Sequence, residues 1–97
     1  MEEELRQVAQ RSGRESFGEL LRDRRRELEL SQVEVAERLV HIPGCSQSHI
    51  SQYERGRRAP SVEQLGGLAD VLDLDEEAIA TAVRLLSETA RFDRIDG

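Results

Sequence analysis

Ninety-seven residues, 37% of them hydrophobic, suffice for one domain with one modest core. No run approaches the ~20 apolar residues of a membrane-spanning helix, and the acidic start at Met1-Glu-Glu-Glu-Leu5 does not read as a signal peptide. The lone Cys45 excludes an intramolecular disulfide and suits a protein of the reducing cytoplasm.

A net charge of −6 is unfavourable for a nucleic-acid binder, but the charge is unevenly placed. Residues 46–60 hold three Arg against one acid, whereas residues 61–97 hold nine acids against three Arg. The acidity belongs to the C-terminal third, and a phosphate responds to charges within a Debye length of about 8 Å. All basic residues are Arg, each a planar fork suited to phosphate or guanine.

Residues 2–12 can form a short exposed helix, and residues 13–15 read as a flexible joint. Ser16-Phe-Gly-Glu19 reads as a capping box opening a first helix over residues 17–29, with Phe17, Leu20, Leu21 and Leu28 as its apolar stripe. Within it, Arg22-Asp-Arg-Arg-Arg26 is expected to be an exposed face with i,i+4 partners such as Glu29. Ser31-Gln-Val-Glu34 is a second capping box. It opens a helix over residues 32–40 whose apolar positions are Val33, Ala36, Leu39 and Val40. His41-Ile-Pro-Gly-Cys45 is a loop, because Pro43 cannot continue a helix and Gly44 tolerates a tight turn.

Ser46 is the expected N-cap of a third helix, residues 47–55, ended by Gly56. Ser61-Val-Glu-Gln64 caps a fourth, with Val62, Leu65, Leu68, Ala69 and Leu72 apolar. Asp73 or Asp75 caps a fifth through about residue 90, with Ile79, Val83 and Leu86 on one face. Five short helices with tight joints and no strand-type alternation make an all-α domain.

Four segments taken in order resemble a known family. They are Phe17-Gly-Glu-Leu-Leu-Arg22, Leu30-Ser-Gln-Val-Glu-Val-Ala-Glu-Arg-Leu39, Ser46-Gln-Ser-His-Ile-Ser-Gln-Tyr-Glu-Arg-Gly-Arg-Arg-Ala-Pro-Ser61 and Leu65-Gly-Gly-Leu-Ala69. They are similar to the Cro/CI-type (XRE) helix-turn-helix family of phage repressors, over residues 17–74. The resemblance implies a five-helix lambda-repressor-like bundle. It divides the chain into an N-terminal arm (1–15), a DNA-binding domain (16–74) and a C-terminal helix (75–97) that is a candidate dimerisation element. One departure stands out: the joint at residues 40–45 is about four residues longer than the short Gly-containing turn usual between such helices.

The major groove, ~12 Å wide, admits one helix with its N-terminal side chains facing base edges. The resemblance therefore implies Gln47, Ser48, Ser51 and Gln52 as base readers, with Ile50 and Tyr53 turned into the core. Gln32, at a helix start where free N–H groups favour an anion, is expected to touch a phosphate. Arg55, Arg57 and Arg58 are expected to clamp the backbone beside it. Polar positions on a solvated helix and an ordinary cationic loop are the plainer alternatives.

His41, Cys45 and His49 invite a zinc proposal, but they straddle a Pro-Gly loop and offer three ligands where four are usual. Cys45 instead reads as a small buried hydrophobe, and neither metal nor other cofactor is expected. Asp73, Asp75, Glu76 and Glu77 crowd a helix start, where acids complement the dipole. No catalytic set stands on a recognisable scaffold, so the chain does not read as an enzyme.

The leading expectation is a repressor binding double-stranded DNA as a homodimer, away from membranes. Two rivals remain. One is an antitoxin that also masks a toxin protein, which the acidic C-terminal third would suit. The other is a protein-interaction adaptor that kept the fold and lost DNA binding.

Overall fold

The computed structural model describes residues 12–96, with side chains through residue 88. The proposed helix over residues 2–12 lies outside the described part, apart from Ser12. Five helices follow one another: α1 (Gly13–Glu27), α2 (Gln32–Arg38), α3 (Gln47–Glu54), α4 (Val62–Val71) and α5 (Glu76–Asp96). There is no strand among the described residues.

α1 starts one turn earlier than its expected cap. Ser12 accepts from the Glu15 N–H at 3.1 Å while Glu15 reaches back to the Ser12 N–H at 3.3 Å. The chain holds two Ser-x-x-acid patterns four residues apart, and the upstream one prevails. Residues 13–15 are therefore helical rather than a joint. Packing at the other end of the bundle explains the choice: a Cβ on Gly56 would lie 2.7–2.8 Å from Glu15, so the first turn of α1 presses on the end of α3. Ser31 with Glu34 and Ser61 with Gln64 form the capping boxes expected of them, and Ser46 caps α3. At α5 the choice falls on Asp75, whose carboxylate accepts the Ala78 N–H at 2.8 Å.

Three helices stop in the same manner. After α1, α3 and α4 the chain turns through a left-handed residue, Glu29 (φ 57°), Gly56 (φ 73°) and Asp73 (φ 50°). The next N–H then bonds back to a carbonyl of the last turn, as from Leu30 to Arg25, Arg57 to Gln52 and Leu74 to Ala69.

α1 is the central helix, packing on α3 and α5, while α2 packs on α3 and α4. Phe17, Leu21, Val35, Leu39, Ile50, Tyr53, Leu68, Leu72 and Ala82 are nearly solvent-free and form the core together with Cys45. Cys45 is the small buried hydrophobe it was read as, and burial, aided by the nearby Glu63 charge, pushes its thiol up.

The apolar stripes need three corrections. In α2, Val35 and Leu39 point inward while Val33 and Val40 are exposed, the latter because the helix ends at Arg38. In α4, Val62 sits in the first turn and is exposed. In α5 the deepest residue is Ala82, flanked by Leu85 and Leu86, so Ile79 and Val83 lie beside the buried line rather than on it.

The Arg-rich stretch of α1 also differs from expectation. Arg24 donates to the Leu72 and Asp73 carbonyls at the end of α4, at 2.8 and 3.3 Å. Arg25 turns inward to Glu54 rather than out toward Glu29.

Candidate nucleic-acid interface

α3 begins at Gln47 because Ser46, extended at ψ 168°, accepts from the His49 N–H. From that start the 3.6-residue period carries Ile50, Tyr53 and Glu54 to the inside and leaves Gln47 and Ser48 exposed, with Ser51 and Gln52 half-buried on the outward side. The expected anchors hold: Ile50 and Tyr53 are each 1% exposed. Gly18 allows this depth, since a Cβ there would sit 2.4–2.5 Å from the Glu54 and Tyr53 carbonyl oxygens.

Two of the expected contact residues are bonded to each other. The Gln47 amide nitrogen donates to the Gln32 side-chain oxygen at 2.8 Å. The starts of α2 and α3 therefore form one polar edge. Ser48 accepts weakly from Gln52, at 3.4 Å, and Arg55 lies along the Ser51 carbonyl at the same distance. Arg55, Arg57 and Arg58 are exposed at the end of α3 and on the connector after it.

Behind this edge lies a feature the sequence reading missed. Glu54 is 5% exposed and its carboxylate takes two bonds from Arg25, at 2.6 and 3.0 Å, and a third from the Gln32 amide at 3.0 Å. Arg25 also donates to the Leu30 carbonyl at 2.9 Å. The hydrogen bonds it donates to Glu54 hold the Arg25 guanidinium above its ordinary value, against the opposing effect of burial. One signal was available: Glu54 follows Ile50 by four residues, so a face that buries one buries both. The pairing has an electrostatic consequence. The only acid of residues 46–60 is withdrawn and neutralised, while the three Arg of that segment face solvent.

The long joint between α2 and α3 is held at several points. Tyr53 places its hydroxyl 2.7 Å from the Gly44 carbonyl and 3.0 Å from the Gln64 side-chain oxygen. Gln64 in turn donates to the Pro43 carbonyl at 2.8 Å and caps α4 through the Ser61 N–H. Burial pushes the Tyr53 phenol up, Cys45 adds to the rise and Arg58 opposes it. Gly44 adopts φ 84° directly beneath the Gln64 amide. Ile42 packs against Gly67, where a Cβ would come within 2.5 Å of it. The extra residues thus fold onto α4, and α3 still packs on α2.

His41 is exposed, and His49 bonds Ser46 through its ring at 2.6 Å. No group of three His, Cys, Asp or Glu is placed to hold a metal ion among the described residues. No helix among them is long and apolar enough to cross a membrane.

The helix-turn-helix domain family matches residues 16–82, from α1 into α5. The chain belongs to that family. This helix-turn-helix domain is also 32% identical, over 81 residues, to the "ImmF control region 10 kDa protein" of Bacillus phage phi105, covering 84% of this chain and 86% of the phage protein. No solved structure matches it. Family and phage relative agree with the phage-repressor resemblance of the motifs, and place the chain among DNA-binding regulators.

Proposed function

We propose that this helix-turn-helix protein is a transcriptional repressor that reads a two-fold operator as a homodimer, with α3 in the major groove. The observation that carries the reading is the division of α3. Ile50 and Tyr53 are sealed in the core, while Gln47 and Ser48, in the first turn, face outward. That is the presentation a groove-reading helix needs, since its N-terminal side chains meet the base edges. Gln47 and Gln52 take adenine, Ser48 and Ser51 assist, and Gln32 binds a phosphate beside the start of α2. Arg55, Arg57 and Arg58 bind the flanking backbone. The phage relative is named for a control region, which fits a regulator.

One such helix buries little surface, and specific sites usually require two readers about 34 Å apart. The dimer contact is assigned to α5. This helix packs along α1, leaving a groove between itself and α4 that is walled by Val62, Leu65, Ala69, Ile79 and Val83. Val62 is 89% and Val83 47% exposed, an apolar exposure that a second copy would cover.

Selection of bound duplexes from a random pool tests the reading. The expected result is a two-fold motif. Gln47→Ala and Gln52→Ala then lose about 1–3 kcal/mol of discrimination at single positions. Arg57→Ala weakens all duplexes alike and flattens log K against log salt by about 0.9 per phosphate released. Retention of no sequence at low salt would overturn the repressor in favour of the adaptor.

A further inference from the structure

We infer that a cavity between the lengthened joint and the start of α4 binds a small organic carboxylate, and that the bound ligand loosens DNA by occupying Arg58. Binding itself is independent of the function proposed above, and only the loosening of DNA rests on it.

The cavity has a volume of about 430 Å³, within the ~300–1,000 Å³ range of small-molecule sites. Pro43 and Gly44 of the joint form one part of its wall, and Ala59 and Pro60 of the connector another. Tyr53 donates to the Gly44 carbonyl at 2.7 Å and Gln64 to the Pro43 carbonyl at 2.8 Å. Those bonds hold the joint in place without a ligand, as in most small-molecule sites, which are largely formed in advance.

The chain carries 20 acidic residues against 14 basic ones, yet no acid among the described residues lines this cavity. Arg58 does line it, exposed and without a hydrogen-bonded or ion-paired partner among the described residues. Its charge acts on the Tyr53 phenol, another lining group, where it opposes the effect of burial. His49 adds a second donor: with the Ser46 hydroxyl donating to Nδ1 at 2.6 Å, the ring proton lies on Nε2. An anion is therefore the favoured occupant.

The planar Arg58 fork matches a carboxylate through two parallel bonds. A phosphate dianion calls for more positive charge than one arginine and one histidine ring provide. Pro43, Ala59 and Pro60 offer carbon surface to the rest of the ligand, so an apolar body adds to binding. A carboxylate seated on Arg58 neutralises it, and a DNA phosphate then loses that cation.

The experiment titrates the full-length protein, without DNA, with benzoate, its neutral analogue benzamide and inorganic phosphate, following NMR signals. Benzoate is expected to saturate with a Kd of about 1 mM or lower and to move Gly44, His49, Tyr53, Arg58 and Gln64. Benzamide and phosphate should each bind at least about tenfold more weakly. R58M should abolish the preference for benzoate over benzamide, whereas R26M, which removes an equal charge from the exposed face of α1, should keep it. Equal binding of benzoate and benzamide, changes centred elsewhere, or no change by about 10 mM overturns the site. Phosphate binding as tight as that of benzoate overturns the organic carboxylate. A selected duplex is then added at constant ionic strength. Saturating benzoate should weaken its binding to the wild type about two- to fivefold and leave R58M unaffected. An unchanged wild type overturns the loosening of DNA but not the site. A wild type that retains no duplex overturns the repressor, and the loosening with it, while benzoate binding still decides the site.

Discussion

At the scale of single residues, the most consequential pair is Arg25 and Glu54, because a buried charge is tolerated only while its partner and hydrogen bonds are present. Removing one member should cost more than removing both. Arg25→Met is expected to lower unfolding stability by about 3–5 kcal/mol, and Arg25→Met with Glu54→Leu to recover most of that loss, as read from urea denaturation. Cys45 offers a second residue-scale check. It is 2% exposed and its thiol is pushed up, so it stays protonated at neutral pH. Iodoacetamide should label it slowly in the native protein and quickly in urea; equal rates would mean that the loop holding it is open.

At the scale of elements, the helix ends contain both the firmest local designs and two concessions. Glu29 and Asp73 occupy left-handed positions that cost a side-chain-bearing residue about 1–2 kcal/mol, part of which glycine returns through its unfolded-state entropy. Glu29→Gly and Asp73→Gly should each stabilise the domain by about 0.5–1 kcal/mol, seen as a rise in Tm. Gly18→Ala should act in the opposite direction by about 1–3 kcal/mol, since the added carbon meets the α3 backbone.

The α2 cap carries a pH dependence. The hydrogen bonds from the backbone and side chain of Ser31 lower the Glu34 pKa. A carboxylate depressed in the folded state stabilises above its unfolded pKa and loses that contribution as pH falls through the folded one. Glu34→Gln should therefore lower stability slightly at neutral pH and flatten the acid limb of the profile, the two proteins converging at low pH.

The caps also show what was legible in advance. Ser31, Ser46 and Ser61 could be identified because a capping serine acts within four residues of itself. The first box was misplaced because Ser12 and Ser16 are locally equivalent, and only the contact between Glu15 and Gly56, 41 positions away, separates them. Non-glycine helix ends such as Glu29 and Asp73 carry no residue-type signal, so α1 was drawn two residues too long. The outward amides of α3 are implied by the family resemblance together with the helical period and the Ser46 cap, but the bond between Gln47 and Gln32 depends on how α2 meets α3, which no local pattern encodes.

At the scale of the whole molecule, positive and negative charge are sorted to different parts of the chain. The cationic segment belongs to α3 and its connector, while the acidic third begins at α4 and includes the groove beside α5. The joint at residues 40–45 carries about four residues more than the short turn usual between such helices. The structure places those extra residues against α4 through Ile42, Gly44 and Gln64. If α5 forms the contact between copies, Ile79→Asp with Val83→Asp should convert a dimer to a folded monomer in sedimentation equilibrium and weaken operator binding by at least about tenfold. A variant that stays dimeric would move the contact elsewhere.

Contact of α3 with the bases can be observed by titrating the labelled protein with a selected duplex and following backbone and side-chain amide NMR signals. The largest changes are expected on Gln47, Ser48, Ser51, Gln52 and the side chain of Gln32, with α5 nearly silent. Changes concentrated on α4 and α5, with the Gln47 and Gln52 side chains unmoved, would contradict it.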